Sequence, residues 1–232
     1  MGPQPLGDPV DFRSATFPDP DTELRGEHVL LRHTLPEQDA QPLFEASHPP
    51  AGDPDIWTYL YDGPYASVEA LAAALAEQAA ARDPQYRTIE RLADQLPVGI
   101  CSYLSIVPEH GTIEIGNIWF APALQRTTAA TEAIQLLLGH AFDELGYRRL
   151  EWKCNALNAP SRAAAERFGF RFEGIFAQHR VVKGRNRDTA WYAITDDRWP
   201  ALRDAFAQWL SPANFDEAGN QRRSLRALTA DA

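Results

Sequence analysis

The chain has 232 residues, enough for one sizeable domain or two small ones. Hydrophobic residues make up 44% and charged residues 23%, a balance that supports a large core and excludes wholesale disorder. A net charge of −10 argues against nucleic-acid binding through bulk charge, and no apolar run approaches the ~20 residues of a membrane span.

The first 24 residues read as an extended arm, with Pro3, Pro5, Pro9, Pro18 and Pro20 blocking helices and ladders. The start of this arm has no apolar stretch of the kind a signal peptide carries. Residues 28–34 form a predicted strand. A helix then starts with Thr34 as its cap and Glu37 three residues later, and stops before Pro49 and Pro50. Trp57, Tyr59, Tyr61 and Tyr65 lie in a Gly/Pro-punctuated loop, after which Ser67 caps an alanine-rich helix from Val68 to about Arg82. Three predicted strands follow as an antiparallel meander, at 86–93, 97–107 and 112–120. Between Thr127 and Leu145, the residues Ala130, Ile134, Leu137, Ala141 and Leu145 recur at helical spacing, and Gly146 sits where a helix ends. Then come a strand at 149–154, a helix opening at Ala159-Pro160-Ser161 and ending at Gly169, and a hairpin of 170–182 and 188–195 across Lys183-Gly184-Arg185-Asn186. A last helix spans 199–210. The expected domains are an arm at 1–24, one folded domain at 25–210 and a polar tail at 211–232. Helices between strands, with three strands in a row, imply a mixed α/β sheet covered by helices on both faces and disfavour a doubly wound fold.

Cys101 and Cys154 are the only cysteines, both in apolar runs without CxxC or Cys/His spacing. A reducing, cytoplasmic setting is expected, with no disulfide framework and no metal. The chemistry-bearing segment is the junction from Phe120 through Pro122 into the long helix. Helix N-termini leave first-turn N–H groups without internal partners and carry partial positive charge, and small residues let an anion approach. Thr128, Ala129, Ala130 and Thr131 fit a diphosphate, and they equally fit a packed core helix after a tight loop.

Phe120-x-Pro122-x-x-Gln125-Arg126-x-Thr128-x-Ala130-Thr131-Glu132-Ala133 resembles motif A of the GNAT N-acetyltransferases, and Asn155-x-x-Asn158-x-x-Ser161 with Gly169-Phe170 resembles their motif B. Glu114-Ile115-Gly116 and the stretch 187–192 resemble the RimJ/RimL-like branch. The resemblance covers about residues 25–200. It implies a strongly twisted mixed sheet with a central splay between two parallel strands. The implied cosubstrate is acetyl-CoA, and the acceptor is a primary amine, on a protein or peptide N-terminus or on a small molecule. Nucleic acid, membrane and metal have no part in this reading, and self-association is left open. Arg126 and Thr128 replace both motif A glycines, so either this loop keeps ordinary right-handed geometry or diphosphate binding is altered.

The resemblance also assigns roles. The amides of Arg126, Thr127, Thr128, Ala129, Ala130 and Thr131, with Gln125 beside them, hold the diphosphate. Backbone N–H groups of the Ile118 to Phe120 strand serve the thioester carbonyl and the pantetheine. Asn155 and Asn158 hydrogen-bond the pantetheine amides, or else form a turn. A Lys-type amine with pKa near ~10.4 must lose a proton before attack. Glu114 is the first candidate base, with Glu151 as its rival; paired or solvated, it would have no such role. Relatives place a tyrosine acid where this chain has Ala165. Ser161 is then the remaining hydroxyl for the departing thiolate, or a helix cap. Trp57, Tyr59 and Tyr61 wall the acceptor site or simply cover the core. The charged hairpin tip at Lys183, Arg185 and Arg187 reads as a solvated turn, with contact to an anionic partner as the alternative. The alternative to an N-acetyltransferase is a non-catalytic acyl-CoA-binding or interaction protein on the same fold.

Overall fold

A computed structural model describes residues 4–230 and residue 232. The arm's first three positions, Pro3 among them, and Asp231 of the expected tail lie outside the described residues. The strands are β1 (Leu24–Arg25), β2 (Val29–His33), β3 (Gln85–Arg91), β4 (Leu96–Val107), β5 (Thr112–Phe120), β6 (Arg149–Asn155), β7 (Arg171–Val182) and β8 (Arg185–Thr195). The helices are α1 (Pro36–Ser47), α2 (Val68–Ala80), α3 (Thr128–Gly139), α4 (Ala159–Arg167), α5 (Trp199–Leu210) and α6 (Leu225–Ala230).

One eight-stranded sheet runs in the order β1-β2-β3-β4-β5-β6-β8-β7, and β5 with β6 is its parallel pair. Here the expected splay is found. Pairing runs from Thr112↔Arg149 to Glu114↔Glu151 and then stops, although β5 continues to Phe120. On its other edge, β5 bulges. Its register with β4 jumps from Ile100↔Trp119 to Ser102↔Gly116, and Asn117 takes the left-handed φ of 49°. A bulge bends a strand and sharpens its twist, which turns the free part of β5 away from β6. Asn117 Nδ2 donates to Ser102 Oγ, which itself donates to the carbonyl of Gly116, and these bonds hold the bend.

Helices cover both faces. Tyr103 donates its hydroxyl to the Leu137 carbonyl of α3 on one face, and on the other Trp119 packs on Trp57 from the loop between α1 and α2. The apolar stripe of α3 is buried as its periodicity requires, from Ala130 through Ile134 and Leu137 to Ala141 and Leu145. Each fully buried Leu or Ile contributes about 1.5–3 kcal/mol. The helix closes on a π-helical turn at His140–Glu144, ahead of Gly146 at φ 75°.

Three local expectations need correction. Thr34 does not cap α1. Its hydroxyl is hydrogen-bonded to that of Thr88 instead, while Asp39 takes the Leu35 amide and pairs with Arg32. A carboxylate already fixed by Arg32 makes a stronger acceptor than a neutral hydroxyl. The hairpin between β7 and β8 turns at Lys183 and Gly184 alone, with φ 48° and 72°. Both central residues at positive φ match strand twist, so the ladder extends to Val182↔Arg185. Of its charged tip, Arg185 is exposed as expected, whereas Arg187 is buried and the exposed Lys183 bonds to the loop between α1 and α2.

The prolines of the arm do not keep it off the domain. Ala15 and Thr16 donate their amides to Pro108 and Leu145 carbonyls, and the buried Arg87 guanidinium holds the carbonyls of Asp19 and Thr22. After α5 the chain folds back, and Leu225 and Leu228 of α6 join the core.

Candidate active site

A cavity of about 230 Å³ opens where β5 leaves β6. Glu114, Gly116 and Ile118 face it from β5, and Lys153 and Asn155 from β6. Tyr59 and Tyr61 close it from the α1–α2 loop, and Arg187, Thr189 and Trp191 from β8. The loop and the hairpin are fastened together: the Lys183 ammonium donates to the carbonyls of Trp57, Asp62 and Gly63 at 2.8, 3.0 and 2.7 Å.

Glu114 is only 6% exposed. Its Oε2 accepts from Lys153 Nζ at 2.8 Å and from Ser105 Oγ at 3.2 Å. No hydrogen bond from the described residues takes its Oε1. Burial pushes the carboxyl above its ordinary range, and the Lys153 ammonium opposes that shift. Lys153 is itself desolvated, but Glu114 and Glu151 (2.6 Å) hold its pKa above the usual lysine value. The ammonium also lies 4.1 Å from the Trp191 ring. Glu151 is spent otherwise, with its second oxygen on Arg149 Nε at 2.7 Å. Glu114 is therefore paired through Oε2, while its Oε1 takes no hydrogen bond from the described residues and the residue lines the cavity.

Ser161 faces the same cavity but is not the cap of α4. Asn158 is, accepting the Ser161 amide at 3.1 Å. The Ser161 hydroxyl accepts from Trp152 Nε1 at 3.0 Å. Asn155 Oδ1 takes the Leu157 amide, so the carbonyl oxygens of both asparagines shape the turn, and their NH₂ groups make no hydrogen bond among the described residues. Tyr59 donates to the Leu157 carbonyl, and the half-exposed Tyr61 ring lies under the Arg187 guanidinium, 5.0 Å away. Trp57 does not wall the cavity. It is buried between Tyr65 and Trp119, because the loop needs an apolar anchor beneath it.

The motif A segment lies apart from this cavity. Phe120 packs against the core, and Gln125 Nε2 donates to the Phe120 carbonyl. Arg126 stands at φ 60°. The loop thus keeps the left-handed turn that glycine would favour, with an arginine in it, rather than the right-handed alternative. Thr127 caps α3, taking the Ala130 amide at 3.2 Å and donating to Leu124 at 2.6 Å. The amides of Thr128 and Ala129 precede any possible intrahelical acceptor. The Thr131 side chain is turned inward, where it accepts from Arg167.

Sequence reasoning missed Lys153 and Trp191, and took Arg187 for part of a solvated turn with an anionic contact as the alternative. Lys153 shares a strand face with Glu151 and Asn155 at period two, a signal the sequence does carry. Arg187 is obscured when the turn is taken two residues too long.

The GNAT acetyltransferase domain model matches residues 28–171. The chain belongs to this family. A GCN5-related N-acetyltransferase structure from Brucella melitensis is 40% identical with a TM-score of 0.91, covering 95% of this chain and 99% of that one. A GNAT-family structure from Chromobacterium violaceum is 41% identical with a TM-score of 0.77, covering 87% and 100%. YnaD of Bacillus subtilis, named an uncharacterised N-acetyltransferase, is 27% identical over 74% of this chain and 99% of its own length. The GNAT protein described here is an acyl-CoA-dependent acetyltransferase with acetyl-CoA as its cosubstrate. Among the described residues, no cluster of His, Cys, Asp and Glu is suited to a metal, and no helix is long and apolar enough to cross a membrane.

Proposed function

We propose that the protein moves the acetyl group of acetyl-CoA to a primary amine by direct attack on the thioester. The observation that carries this reading is the free Oε1 of a buried Glu114 at the mouth of the β5–β6 splay. A carboxylate whose pKa is raised by burial is better matched to proton removal near neutral pH than an ordinary one. The ammonium gives one proton to Glu114, the neutral amine forms the nitrogen–carbon bond, the carbon–sulfur bond breaks, and the second nitrogen proton passes to the departing thiolate to give the CoA thiol. Backbone N–H groups of β5 beyond Glu114, left without a β6 partner, suit the thioester oxygen and the pantetheine amides. Of the amides from Arg126 to Thr131, those of Arg126, Thr128 and Ala129 suit the diphosphate, since the Thr127 and Ala130 amides are taken by the Leu124 carbonyl and the Thr127 hydroxyl. Ser161 donates a hydrogen bond to the departing sulfur, Ala165 being unable to act as an acid. The left-handed Arg126 supports acyl-CoA binding, which the enzyme and a non-catalytic acyl-CoA binder share, and the buried Glu114 is what favours the enzyme.

The test is a thiol-release assay with acetyl-CoA over a panel of amines and N-terminal peptides, run beside Glu114→Gln and Ser161→Ala. Loss of a general base costs about 10²–10⁴-fold in rate. Glu114→Gln at full turnover would remove the base assignment. Tight acetyl-CoA binding with no transfer to any acceptor would favour the binding protein.

A further inference from the structure

We propose that the amine acceptor carries an oxyanion, a carboxylate or a phosphate, and that Arg187 holds it. The proposal rests on the acetyl-transfer reading above and names its substrate class. Arg187 is 7% exposed and lines the cavity, and its Nε has no hydrogen-bond partner among the described residues. Nor does any described carboxylate pair with it. A guanidinium stays charged at any working pH, and a buried charge without a counter-ion is costly. The Tyr61 ring below it offers a cation–π contact but no neutralising charge. Directly across the ladder stands Arg180, a second cation at the cavity wall, and like charges in cross-strand register repel.

The acids nearby are already engaged. Glu114 and Glu151 serve Lys153, and Glu151 also serves Arg149. Asp188 Oδ1 takes the Gln178 amide and Asn186 Nδ2. The charge that completes Arg187 therefore has to enter through the cavity. Acetyl-CoA does not bring it: the pantetheine arm is uncharged, and its phosphates belong at the α3 N-terminus. The acceptor is the remaining source. A guanidinium fork matches the two oxygens of a carboxylate or phosphate. In this arrangement the oxyanion binds below the hairpin while the amine reaches Glu114 Oε1, so Arg187 acts as a specificity residue and takes no part in the proton transfer.

The experiment compares matched acceptors differing in the oxyanion: β-alanine with β-alaninamide, and phosphoethanolamine with ethanolamine. Wild type, Arg187→Met, Arg187→Lys and Arg180→Ala are assayed for kcat/KM by thiol release. The expected wild-type preference for the charged member is about 10- to 100-fold, the range of one charge-assisted pair. Arg187→Met should bring that ratio near one with acetyl-CoA affinity unchanged, Arg187→Lys should restore part of it, and Arg180→Ala should lower it less. The stronger pair distinguishes carboxylate from phosphate. A wild-type ratio near one, or a ratio unchanged in Arg187→Met, overturns the proposal. A second readout is the thermal shift of the acetyl-CoA complex by each N-acetylated product. If no amine releases thiol, the acetyl-transfer reading fails separately. Stabilisation by the anionic products that Arg187→Met abolishes still supports the oxyanion site, and equal stabilisation in both proteins overturns it.

Discussion

Glu132, in the second turn of α3, is buried, and its carboxylate receives the amides of Glu27 (2.8 Å), His28 (2.7 Å) and Val29 (3.0 Å). It thereby locks the β1–β2 turn to the helix proposed to hold the diphosphate. The fit is close, since a Cβ on Gly26 would collide with the Glu132 carboxylate. Hydrogen bonds to a charged group are worth about 1.5–3 kcal/mol each. The amides of Glu27 and His28 lie near the surface and regain water when the carboxylate is removed, but Val29 is buried and does not. Glu132→Ala should therefore cost about 3–5 kcal/mol. Glu132→Gln, which keeps an acceptor oxygen but turns a donor toward an amide, should cost about 2–4 kcal/mol. Urea unfolding followed by far-UV circular dichroism measures this, with the midpoint falling at constant slope. A loss below about 1 kcal/mol for Glu132→Ala would show that the three amides are satisfied without the carboxylate, and the reasoning would fail.

Three further outcomes are expected. The kcat/KM profile should rise with pH along a limb above the ordinary carboxylate range, and Lys153→Met should move that limb higher. That change removes the cation opposing the burial effect on Glu114, so a limb that stays put would dissociate it from Glu114. Arg126→Gly should change stability by no more than about 1 kcal/mol, whereas Arg126→Val, whose branched side chain tolerates positive φ poorly, should cost about 1–2 kcal/mol and weaken acetyl-CoA binding. Equal calorimetric titrations for Arg126→Val and the wild-type protein would contradict the left-handed turn. Lys183→Met should lower stability by about 1–2 kcal/mol and raise KM for the amine while leaving acetyl-CoA affinity unchanged. A changed cosubstrate affinity with an unchanged amine KM would show that the fastening serves the other end of the site.

Much of the architecture is legible in short-range chemistry. The β5 and α5 boundaries follow from Pro122 and from the Trp199-Pro200 start, and the α3 stripe from its helical spacing. The motif residues place Glu114, Ser161, Asn155 and Asn158 around one cavity. Long-range pairings are hidden from such reading. Thr34 looks like a cap until Arg32 and Thr88 are seen to fix Asp39 in that place. Lys183 and Arg187 look like a solvated turn because their partners, Trp57 to Gly63 and Tyr61, lie more than a hundred positions away. Trp57 reads equally as wall or core by composition, and only its packing on Trp119 decides.

Because Lys183 grips main-chain oxygens alone, its hold on the roof of the site does not depend on the side chains at positions 59 and 61. Residues 59 and 61 can drift, trading one ring for another or for something smaller, without unfastening what lies above them. Such a scaffold lets acceptor preference be rewritten by point changes while the frame that aims the nucleophile stays where it was.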